Sequence, residues 1–71
     1  MTEEKAIGIA QKFLSENIKN FKTTLREARK LESQSDIWTV VFDWYDAEGN
    51  AYDGPIVVDV NENTGEAEFF S

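Results

Sequence analysis

The chain predicts an α+β fold, with one N-terminal helix packed on one face of an antiparallel sheet of three or four strands. Two changes of rhythm carry that reading: apolar residues recur every three or four positions up to about residue 20, then every second position from Ile37 onward. Length carries the rest. With 71 residues there is room for one hydrophobic core, so residues 1–71 form a single domain of modest stability, a few kcal/mol.

The helix runs from Thr2 to about Asn20. Ala6, Ile7, Ala10, Phe13, Leu14, Ile18 and Phe21 form one apolar stripe. Thr2 is an N-cap whose hydroxyl can accept from a free backbone N–H, and Glu3 and Glu4 lie at the positive end of the helix dipole. The segment from Thr23 to Gln34 is two-sided. Its residues are good helix formers and Thr24 with Glu27 has capping-box spacing, but Leu25 and Leu31 also share one face of a strand. We read it as an edge strand whose charges discourage pairing with other edges.

In the next strand Trp38, Val40, Phe42 and Trp44 share one face, and Ile37, Thr39, Val41, Asp43 and Tyr45 the other. Apolar residues on both faces mark a central strand, and the helix stripe should cover the Trp38/Phe42 side. Asp46-Ala-Glu-Gly-Asn50 supplies turn chemistry, and Pro55 follows Gly54 in a turn. Ile56, Val58 and Val60 line one face of a further strand. Asn61-Glu-Asn-Thr-Gly65 reads as a hairpin loop with Gly65 at positive φ, and Glu66 to Phe70 as the closing strand.

Charge is distributed unevenly. Residues 1–30 hold all seven bases against four acids, net +3, whereas residues 31–71 hold ten acids and no base, net −10; together they give the −7 of the whole chain. The second half therefore projects a negative field, which disfavours nucleic acid and anionic lipid as ligands. An acidic N-terminus and the lack of any apolar run approaching 18 residues give the expectation of a soluble, cytosolic protein.

Catalysis has little to work with. There is no histidine and no cysteine, which removes the commonest general base, metal ligand and nucleophile, so we expect a protein that is not an enzyme and carries no cofactor or metal. Asp59-x-Asn61-x-Asn63 opens like a calcium loop. It fails further on, where Thr64 takes the position that needs Gly and Phe70 the position of the bidentate Glu. What remains is binding. One helix covers one sheet face, so some of Val41, Tyr45, Tyr52 and Val57 should stay on the open face within an acidic surround. Apolar anchors with a charged rim suit a basic protein partner, and the expected contact residues are Asp43, Tyr45, Asp46, Glu48, Tyr52 and Asp53. The chain itself is expected to be a monomer or a weak homodimer.

Glu3-Glu-Lys-Ala-Ile-Gly-Ile-Ala10, Ile37-Trp-Thr-Val-Val-Phe42 and Val57-Val-Asp-Val-Asn-Glu-Asn-Thr-Gly-Glu66 together resemble the PepSY-type helix-and-hairpin module. Gly49-Asn-Ala-Tyr-Asp-Gly-Pro-Ile-Val-Val-Asp59, with Trp38, is similar to the immunity protein 35 family, small acidic cytosolic proteins thought to neutralise bacterial toxins. The first resemblance implies a regulatory or accessory module acting on a peptidase. The second implies an inhibitor of a toxin-type or nucleic-acid-processing enzyme, and the acidic N-terminus, unlike an export signal, favours it. Neither supplies catalytic residues.

Overall fold

In the computed structural model, which describes residues 1–31 and 34–70, helix α1 spans Glu3–Asn17. The Thr2 hydroxyl accepts from the backbone N–H of Lys5 at 3.2 Å, which caps the helix as its sequence requires. The helix ends about three residues earlier than periodicity alone indicates. Ile18 is already extended and Asn20 adopts φ 65°, so Phe21 leaves the stripe to which its spacing assigned it.

Four strands follow: β1 (Lys22–Leu31), β2 (Gln34–Tyr45), β3 (Ile56–Asn61) and β4 (Ala67–Phe69). They pair in chain order as an antiparallel meander, so the two-sided segment after residue 22 is an edge strand, and of that segment Glu32 and Ser33 lie outside the described residues. The register between β1 and β2 shifts between Leu25 and Glu27, making Arg26 the extra residue of a bulge. Between β2 and β3 the pairing is regular, with Val40 opposite Val58 and Trp38 opposite Val60.

The helix lies on the face carrying Trp38, Val40, Phe42, Val58 and Val60. Ala10 and Leu14 pack with Val40, Phe42, Val58 and Val60 as the buried cluster, flanked by half-buried Trp38, Ile7, Phe13 and Ile56. Ala6 and Ala10 are fully buried, and their small side chains let the helix backbone approach the sheet closely. Phe13 reaches over the short last strand and meets Phe69 edge-on, with ring centroids 4.8 Å apart. No described helix is long and apolar enough to cross a membrane.

Two turns complete the frame. The Asn61 side chain accepts from the N–H groups of Asn63 and Thr64 at 2.8 and 3.1 Å, and Gly65 takes φ 75°, as the hairpin reading requires. The longer connection between β2 and β3 forms one end of the candidate site.

Candidate functional site

Asp46 organises the β2–β3 connection. Its Oδ1 accepts from the backbone N–H groups of Glu48 and Asn50, each at 2.9 Å, and its Oδ2 from the Asn50 amide at 3.3 Å. These donors favour the ionised form and hold the Asp46 carboxyl below its ordinary range, the Asn50 backbone N–H contributing most. The loop is therefore preorganised, and Glu48 and Asp53 stand exposed on it. Asp46 was expected to contact a partner. Its lone pairs are instead largely committed to the turn.

Beyond the turn the chain folds back along β2. Tyr45 bridges to Ala51, and the Tyr52 N–H donates to the Trp44 carbonyl at 3.1 Å. Tyr52 stacks on Trp44, centroids 4.3 Å apart and planes 22° from parallel, while Phe21 leans against both at 5.3 and 5.5 Å. The Trp44 indole N–H donates to the Gly54 carbonyl at 3.2 Å. Trp44 belongs to the helix-side face, so Tyr52, one of the residues that could have stayed on the open face, lies on the opposite side from Asp43 and Tyr45. It remains 41% exposed.

The six expected contact residues thus gather at one end of the sheet rather than on one face. Asp43 and Tyr45 are half-buried on the open face, Asp46, Glu48 and Asp53 sit on the rim, and Tyr52 wraps to the other side. The open face differs from expectation in charge as well. β1 contributes Lys22 opposite Tyr45 and Arg29 opposite Thr39, and the Arg26 guanidinium lies 3.7 Å from Asp43. Bases and acids therefore share the sheet: the division of charge runs between its first strand and the others, not between helix and sheet.

The centre of the open face is more closed than one uncovered layer implies. Val41 is only 6% exposed because side chains of the neighbouring strands flank it, and Arg29, Thr39, Val41, Val57 and Phe70 line a shallow groove of about 270 Å³. Thr39 donates its hydroxyl to Asp59 at 3.1 Å. The exposed aromatic here is Phe70, 64% accessible, which the alternation predicts as the end of the closing strand but which lies one residue beyond β4.

Glu62 is a second residue whose role the sequence pattern does not mark. At the other end of the sheet it accepts from the Trp38 indole N–H at 3.1 Å and from Lys30 Nζ at 3.0 Å, with the Met1 amino group 3.3 Å away. The Trp38 hydrogen bond first and Lys30 second pull its carboxyl down to about 2. Lys30 also lies over the Trp38 ring, 5.9 Å from its centroid. No local motif marks Glu62, because its partners come from three separate segments that only the strand register brings together.

Among the described residues no group of three or more His, Cys, Asp or Glu side chains could hold a metal ion. No family model, curated protein or solved structure matches the chain. The fold and the site define a small α+β domain with an acidic, aromatic-bearing end.

Proposed function

We propose that this protein binds and inhibits a protein partner with a basic surface, a toxin-type or nucleic-acid-processing enzyme, through the acidic rim made by Asp43, Tyr45, Glu48, Tyr52 and Asp53. The observation that carries the reading is the preorganised β2–β3 connection. Asp46 fixes the loop, the Trp44–Tyr52 stack fixes its return, and exposed carboxylates project from both. A rim held rigid before binding loses little conformational entropy on contact, and carboxylates in fixed positions can occupy a groove built for phosphates. Asp46 serves this role by shaping the loop. A binding role rather than catalysis is further supported by the lack of any histidine or cysteine in the chain.

The test starts from a partner captured on the immobilised protein. Association should slow strongly between about 50 and 500 mM salt while dissociation changes little. Glu48→Lys and Asp53→Lys should weaken binding about tenfold or more without lowering the melting temperature, whereas Glu3→Lys and Glu16→Lys on the helix should not. Asp46→Lys is unsuitable as a probe because it dismantles the turn. Binding indifferent to salt and to both rim reversals rejects the electrostatic mechanism and leaves apolar docking, or a PepSY-type role acting on a peptidase, as the better account.

A further inference from the structure

The outer edge of β1 adjoins the acidic rim, since Lys22 and Thr24 pair with Tyr45 and Asp43, but it offers backbone groups and bases rather than carboxylates and does not rest on the function proposed for the rim. β1 is a ten-residue edge strand, paired on one side with β2 and on the other with no described strand. Such an edge presents a row of backbone N–H and C=O groups ready to pair with another strand. Of Lys22–Lys30 only Thr23 and Ala28 are half-buried and the rest are exposed, with Leu25 at 45% exposure the largest apolar side chain among them. By contrast β4, the opposite edge, is three residues long.

Charge selects the occupant. β1 carries Lys22, Arg26, Arg29 and Lys30 against Glu27, whereas β2, β3 and β4 contain no base. Lys30 is engaged by Glu62 and Arg26 leans toward Asp43, but Lys22 and Arg29 form no ion pair among the described residues. Bases along an edge repel the same edge of a second copy, because like charges on neighbouring strands destabilise the pairing. They attract an acidic strand. The side chains alternate as well: Lys22, Thr24 and Arg26 belong to the open face, Thr23 and Leu25 to the helix side. The bulge at Arg26 divides the edge into two regular arms, and the Lys22–Leu25 arm joins both kinds of contact.

We infer that the β1 edge accepts an extended peptide of alternating acidic and apolar residues from a partner protein, by strand addition beside Lys22–Leu25. Its acidic side chains lie next to Lys22 and Arg26, and its apolar side chains next to Leu25. The main-chain hydrogen bonds supply affinity, and the alternation supplies selectivity.

The probe is a capped octapeptide of alternating Glu and Val, labelled for fluorescence anisotropy and titrated against the full chain. Saturable binding is expected, with slowed amide exchange confined to β1. A Lys-Val peptide should bind at least about tenfold more weakly, and so should the Glu-Val peptide against Lys22→Glu/Arg26→Gln, which removes both bases at exposed positions without setting a second carboxylate against Asp43. Two further peptides are N-methylated at every Glu or at every Val, and strand pairing requires that at least one of them loses binding. Undiminished binding by both methylated forms, protection outside β1, no binding of the Glu-Val peptide, or a dimer of the free protein that dissociates in the double variant each overturns the proposal.

Discussion

Glu62 shows how one carboxylate can tie together segments that propensity treats separately. It joins the indole of β2, the ammonium of β1 and the chain's first residue at the end of the sheet opposite the rim. Because folding lowers its pKa to about 2 from 4.5, its contribution to stability is present above pH 4.5 and is lost as pH falls toward 2. Glu62→Gln should therefore melt below the parent at pH 7, and the gap should narrow at pH 3; a gap of constant size would mean that charge is not what Glu62 supplies. Phe42 gives the contrasting case. At 1% exposure in the centre of the cluster, its truncation to Ala should cost about 3–5 kcal/mol and unfold much of the population at 25 °C, read by near-ultraviolet circular dichroism. Trp38 faces the same way but is half-buried, so Trp38→Ala should destabilise less and should also abolish part of the pH dependence attributed to Glu62.

Among the elements, those with a strong period were legible and those defined by register were not. α1, β2 and β3 follow directly from spacings of three and four or of two, because their apolar faces are buried against one another. β1 was ambiguous for a physical reason. Almost all of it is exposed, so burial imposes no pattern, and its helix-forming residues are overridden by pairing with β2. The return of Tyr52 onto Trp44 was invisible because nothing in residues 46–55 specifies which face the chain rejoins. Two glycines separate local conformation from packing, since a Cβ at either Gly8 or Gly65 meets no atom within 4 Å. Gly65→Ala must adopt φ 75° and should cost about 1–2 kcal/mol. Gly8→Ala, within α1, should instead stabilise by about 0.4–1 kcal/mol. Urea titration of both distinguishes backbone strain from a loss of contacts.

Across the whole molecule, the sequence count of charge was correct but its spatial meaning changed on folding. The bases after residue 21 are carried into the sheet on β1, so the molecule has a positive edge beside a negative body, and Asp43 is partly neutralised by Arg26. The acidic rim survives that neutralisation at Glu48 and Asp53, which is why those two positions carry the binding test. The meander has a further consequence, for how the chain is made. Every strand pairs with its neighbour in sequence, yet α1, which precedes all four strands, rests on Val58 and Val60 of β3 as well as on Val40 and Phe42 of β2. During translation α1 can meet Val40 and Phe42 once β2 has emerged, but its apolar stripe lacks Val58 and Val60 until β3 has left the ribosome, and an isolated 15-residue helix is marginal in water. A chain cut after Asn50 should accordingly show little helical circular dichroism and should bind chaperones that recognise exposed apolar segments. α1 is thus made before every strand it packs on and gains its full set of contacts only when the later strands are in place.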